Sequence, residues 1–187
     1  MKKKMIFALV ALMVALPMVA QESKIVLDEV SSDGLRTIKC NVIGTRSFSD
    51  KHVFYLGLSA INDTLLLNVR VNASKDYEIS QGMVLLVKTS EEKVLTLMAK
   101  DSQKAELKDS VWTGINYLYS YGADANYIVT AEQLELMKKG VTKLRQEVVA
   151  GKHEKTYKKD KIGQIIKDQH KLINEALATE KAFDSDF

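Results

Sequence analysis

From residue 24 to about residue 128, apolar and polar residues alternate with a period of two, and β-branched and aromatic residues are enriched. That period sends successive side chains to opposite faces of an extended chain, so the stretch reads as strands with one buried face. Lys24–Val30 is a first strand, followed by a turn at Ser31-Ser-Asp-Gly34 whose glycine accepts positive φ. Leu35–Thr45 is a second strand with Ile38, Cys40 and Val42 inward. Val53–Ala60 and Thr64–Asn72 make a hairpin across Ile61-Asn-Asp63, with Leu65, Leu67, Val69 and Val71 on one face and Asn68 and Arg70 on the other. Met83–Thr89 and Val94–Ala99 make another, joined by Ser90–Lys93. Lys100–Asp109 is polar and reads as a loop or an exposed strand, Thr113–Tyr121 is again extended, and Tyr127–Val129 is a short strand.

Beyond residue 129 the period changes. Thr130-x-x-Gln133 is a capping box, whose hydroxyl and amide satisfy backbone groups left without partners at a helix start. Leu134, Met137 and Val141 follow at helical spacing, and Gly140 is the stop, giving a helix of about ten residues. Gly140–Val149 returns to strand, with Leu144, Gln146 and Val148 on one face. From Lys159 to about Thr179, Ile162, Ile165, Ile166, Gln169, Leu172, Ile173, Ala176 and Leu177 form one stripe of a helix. That stripe needs a cover. The open face of the sheet and a helix of another chain are the two candidates. The expected fold class is α+β: an antiparallel β sandwich or partly open barrel of about eight strands, with a short helix and an amphipathic C-terminal helix.

The first twenty residues have the three-part layout of a secretory signal peptide: Lys2, Lys3 and Lys4, an apolar run from Met5 to Leu16, then Pro17 and Val19-Ala20. The run is short of the roughly 20 residues that span a bilayer, so no stable membrane insertion is expected after cleavage. No cysteine near the cleavage point offers a lipid anchor. Residues 21–187 are then a single globular domain in the periplasm or cell envelope. The signal's charges are all lysines, so the formal +3 of the chain belongs to it, and the remainder is neutral. Attraction to nucleic acid is not indicated. The lysines between Lys152 and Lys161 form the one basic cluster, read as a solvated turn and helix start. Cys40 has no partner for an intrachain disulfide and reads as a buried, inert thiol.

The order of Gly82-Met-Val-Leu-Leu-Val-Lys-Thr89, Val94-Leu-Thr-Leu97 and Tyr127-Ile-Val-Thr-Ala-Glu-Gln through Gly140-Val-Thr-Lys-Leu-Arg145 resembles a pattern in small exported proteins of Bacteroides-type bacteria. The resemblance covers roughly residues 53–148, rests on structural motifs, and implies compartment and architecture without an activity. Such bacteria O-glycosylate exported proteins at Asp-Ser/Thr before a small or aliphatic residue. Asp63-Thr64-Leu65 and Asp109-Ser110-Val111 match that pattern, which makes Thr64, at a hairpin turn, and Ser110, in a polar loop, candidate acceptors.

No catalytic residue emerges. The histidines, His52, His153 and His170, are scattered along the chain, and Gly-x-Ser-x-Gly is absent. His170 lies on the flank of its helix stripe. His-Glu-x-x-His, paired cysteines and calcium loops are absent too, so no metal or cofactor is expected. Asp184-Ser-Asp186 reads as a frayed tail. One feature suits binding. Ile115, Tyr117, Tyr119 and Tyr121 alternate on one strand face, with Trp112 beside them. Rings with polar tips dock partners or stack on sugars, while ordinary cross-strand packing is the competing account. The expectation is a non-enzymatic protein–protein interaction module of the cell envelope, with an envelope protein as partner. The alternative is a small-ligand or glycan-binding domain using the same tyrosines.

Overall fold

The computed structural model describes residues 22–45 and 52–184, so the proposed signal peptide at 1–20 and the end of the tail lie outside the described residues. These residues are mostly antiparallel β with two helices, and the main sheet curls into a half-barrel. That agrees with the expected α+β class. The strands number thirteen among the described residues, because short ones escape period counting.

The main sheet runs β1 (Ile25–Val30), β2 (Arg36–Cys40), β4 (Val53–Ile61), β5 (Thr64–Ala73), β11 (Tyr117–Ile128) and β10 (Glu106–Trp112), with β3 (Ile43–Gly44) also on β4. Its centre is the β4–β5 hairpin, closed at Ile61↔Thr64 by Asn62-Asp63. Asn62 takes a φ of 49°, which asparagine tolerates and a two-residue hairpin turn requires. The second sheet runs β13 (Gly151–Thr156), β12 (Val141–Val148), β7 (Val84–Thr89) and β8 (Val94–Met98). A small ribbon pairs β6 (Glu78–Ile79) with β9 (Gln103–Lys104), and an Ala99↔Tyr127 bridge ties the two larger sheets. The core between them includes Phe54, Leu56, Leu67, Val69, Leu85, Val87, Leu97, Tyr127 and Leu144.

Helix α1 (Ala131–Lys138) starts on the expected capping box: Thr130 Oγ1 accepts from Gln133 N–H at 3.2 Å, and Gln133 Oε1 from Thr130 N–H at 3.0 Å. Helix α2 (Ile162–Asp184) covers β4 and the ends of β1 and β2, burying Ile162, Ile166, Gln169 and Ile173. Asp160 starts it. One carboxylate oxygen accepts from the N–H of Ile162, Gly163 and Val141, each at 3.0 Å, and so ties the helix to β12.

Gln169 shows why an apolar stripe carries an amide. The second strand is not continuous from Leu35 to Thr45 as expected. It breaks at Asn41-Val42, so Val42 is half-buried while Asn41 and Ile43 turn inward. The break leaves a gap beside Gly57-Leu58 in β4. Gln169 fills it, accepting from Leu58 N–H and donating to Asn41 C=O, both at 2.7 Å. A buried side-chain amide thus completes the ladder that the backbone leaves open.

Two other expectations change. The basic cluster is split by β13: Lys152 is exposed, but Lys155 is buried, donates to the Thr45 carbonyl, and stands 5.1 Å from the Tyr157 ring centre. Tyr127–Val129 is no separate short strand, since β11 runs through twelve residues to Ile128.

Candidate functional site

β11 is longer than the strand it lies on. Its pairing with β5 begins at Tyr121↔Ala73 and ends at Ile128↔Leu66. Tyr117–Ser120 therefore pair only with Asp109–Trp112 of β10, and the two strands project past the sheet as a ribbon. At about 3.3 Å per residue the projection is roughly 13 Å long, excluding its turn. Thr113 and Asn116 close the turn: Thr113 N–H donates to Asn116 C=O at 3.0 Å, and Asn116 N–H returns to Thr113 Oγ1 at 3.2 Å. Gly114 supplies a φ of +93°. Ile115 sits at the apex of this turn and not on the tyrosine strand as expected, and it is 81% exposed.

Because directly paired residues share a face, Tyr117 and Tyr119 lie beside Trp112 and Ser110, and Leu118 beside Val111 on the reverse. Trp112 and Tyr117 are 5.0 Å apart between ring centres, Tyr117 and Tyr119 6.1 Å with planes 23° apart, and Tyr119 and Tyr121 6.5 Å. Only Tyr121 reaches the core, where it is half-buried. Trp112, Tyr117 and Tyr119 are 48–55% exposed, and Leu107, Val111 and Leu118 53–62%. From Ser110 to Ala123 there is no charged residue, in a chain that is 27% charged. An isolated two-stranded ribbon is marginal in water, and this one exposes apolar side chains on both faces. Exposed apolar patches are uncommon on monomeric soluble proteins and are the usual chemistry of interaction surfaces.

The other sequence candidates are placed as follows. Thr64 opens β5 and is exposed, as expected for the turn. Ser110 is exposed too, but on strand β10 and not in a loop, at the opposite end of β11 from Thr64. Cys40 is fully buried, its Sγ 3.8 Å from the Gln169 carbonyl, and burial pushes its thiol up to about 11. It is therefore protonated and unreactive at neutral pH.

The histidines are less scattered than their numbering. His52 and His153 come together with ring centres 4.3 Å apart, and Tyr77 meets His153 edge-on at 4.7 Å. His170 is on the helix flank, as expected. Its Nδ1 lies 2.7 Å from Lys138 Nζ, and burial, followed by the Lys138 charge, holds its pKa below the ordinary range. It lines an open hollow with Lys138, Lys167, Lys171, Asn174 and Glu175. Among the described residues no group of three or more His, Cys, Asp or Glu side chains could hold a metal ion, and no helix is long and apolar enough to cross a membrane.

Sequence reasoning missed half of the arm. Leu107, Val111 and Leu118 carry little signal of their own, because β10 begins in a polar stretch. The uncharged run Ser110–Ala123 was the available signal. No protein-family model, curated protein or solved structure matches the chain.

Proposed function

We propose that this chain is an exported, non-enzymatic protein of the periplasm or cell envelope that works by docking protein through the β10–β11 arm. The observation that carries the reading is the arm itself, a ribbon without charge from Ser110 to Ala123 and with large apolar side chains exposed on both faces. Interface cores are depleted of charge and enriched in Tyr and Trp, as this ribbon is. Export is supported by Lys2–Lys4, the apolar run after them and Val19-Ala20, and by the resemblance to small exported proteins of Bacteroides-type bacteria. One or both of Thr64 and Ser110 are the proposed O-glycosylation sites; an unmodified intact mass from the native host removes that part.

A glycan or small ligand is the second reading, favoured by the near-parallel Tyr117 and Tyr119 rings. Against it, the hollow described above, at α2, includes none of the rings. The test is mild cross-linking in the envelope fraction of the native host, for the wild type and Tyr119→Ala. The reading expects a reproducible cross-linked protein species that the substitution weakens while the melting temperature stays nearly unchanged. A large stability loss with the same cross-linked species would make the ladder part of the core. A clean monomer that binds oligosaccharide in a thermal-shift screen would favour the second reading.

A further inference from the structure

Strand β10 is an edge of the main sheet, and among the described residues no strand lies on its outer side. Thr113 N–H bonds to Asn116, so by the alternation of an antiparallel ladder Val111 also bonds inward, and Ser110 and Trp112 turn their N–H and C=O groups outward. Long apolar edges of this kind are ordinarily blunted by charge or proline. Here the bulge between Leu107 and Asp109, with Lys108, guards the base of the strand, but Ser110–Trp112 carries neither charge nor proline.

Resting on the protein-docking reading above, we propose that the arm's partner is a second copy of this chain, joined antiparallel along β10 with Val111 on the two-fold axis. The register is self-complementary in its backbone and in every side-chain row. Ser110 of one copy faces Trp112 of the other, and both have their hydrogen-bonding groups turned outward. On the tyrosine face the row across four strands reads Tyr117, Trp112, then Ser110 and Tyr119 of the second copy, so the small Ser110 leaves room for the indole. On the reverse face it reads Leu118, Val111, Val111, Leu118. The next row on that face sets Ser120 and Asp109 against Thr113 and Asn116, polar with polar. No like charges meet. Joining edge to edge brings the exposed Trp112 indole of each copy against Ser110 and Tyr119 of the other and sets the two exposed Val111 side chains together. A lipid surface would leave the outward N–H and C=O groups of Ser110 and Trp112 without partners, which hydrocarbon does not tolerate.

The dimer has a consequence for modification. A glycan on Ser110 would occupy the place of the second copy's Trp112, so of the two candidate acceptors only Thr64 is compatible with it.

The test uses the chain from Gln21 onward, which holds every described element, in sedimentation equilibrium from low to high micromolar concentration. The wild type is expected to be a concentration-dependent dimer. Val111→Lys, which sets two lysines against each other on the axis, should raise the dissociation constant about tenfold or more and leave the melting temperature of the monomer unchanged. Val111→Cys should form a disulfide-linked dimer in air, since non-bonded antiparallel pairs lie about 4.5 Å apart between Cα atoms, within disulfide range. Val30→Cys, on the other sheet edge, should not. A monomer at all concentrations, a dimer indifferent to Val111→Lys, cross-linking through Val30→Cys alone, or a glycan found on Ser110 would each overturn the proposal. So would a monomer that sediments with phosphatidylcholine vesicles through the arm. If the wild type is monomeric but Val111→Lys abolishes the cross-linked envelope species, the second copy is wrong and the docking reading stands. If neither changes, both are wrong.

Discussion

The two ends of β11 carry the same residue type on the same face and give it opposite fates. Tyr127 is fully buried, bridged to Ala99 just past β8, and its hydroxyl donates to Gln146 Oε1. Tyr117 and Tyr119, at the other end, are about half exposed and touch chiefly one another and Trp112. Between them Ala123 and Ala125 are small enough to let the second layer close on the strand. The strand is continuous; its neighbours are not. Past Tyr121 there is no β5 to pair with, so the same alternation that builds core at one end builds surface at the other. Periodicity selects a face, and burial follows only where another layer meets it.

Substitutions can break this contrast at either end, and the largest effect belongs to the buried one. Tyr127→Ala should destabilise the protein by about 3–5 kcal/mol, from cavity formation and a stranded Gln146 amide; urea denaturation reads it. A loss under about 1 kcal/mol would mean that this end of the strand is not core. Gln169→Leu comes next, at about 2–4 kcal/mol, because Leu58 N–H and Asn41 C=O lose the amide that bridges the β2–β3 break. An unchanged denaturation midpoint would show that the gap closes by itself.

Alkaline pH separates the tyrosines without mutation. Tyr77 is buried, accepts from Ala123 N–H at 3.0 Å and donates to the Val71 carbonyl; burial raises its pKa from 10.0 to about 12. Burial also raises that of Tyr127. In the unfolded chain these groups ionise near 10 while in the folded protein they hold their protons longer, so the folded state binds more protons above pH 10. Stability is therefore full below pH 10 and falls as pH rises toward the folded values, by about 2 kcal/mol between pH 9 and 11. Equal urea midpoints at the two pH values would contradict this burial. The smallest effect is at the arm: Tyr119→Ala should change stability by less than about 0.5 kcal/mol while weakening association, a split that size exclusion and thermal melting read together.

Much was legible from residues that are near one another in the chain. The β4–β5 and β7–β8 hairpins, the capping box at Thr130, the inward face of Leu144, Gln146 and Val148, and the stripe on α2 all follow from local spacing. Each depends on a turn or a period contained in fewer than about twenty residues, where φ/ψ preference and side-chain direction suffice. The aromatic ladder was legible in the same way, as was the burial of Cys40.

What the chain's spacing could not carry was decided by contacts far apart in sequence. His52 and His153 are about a hundred positions apart, and only the folded chain brings the residue before β4 against β13. Gln169 is an ordinary amide until the break at Asn41 gives it a ladder to complete. Lys155 reads as part of a solvated basic run until β13 turns it onto the Thr45 carbonyl. The sequence by itself determined the strand-rich class, the hairpins, the helix start at Thr130 and which side chains share a face, because those follow from local geometry. Only the tertiary structure decided that β11 outruns β5, and with it that Tyr127 is core and Tyr119 is surface, because burial depends on which layer stands opposite.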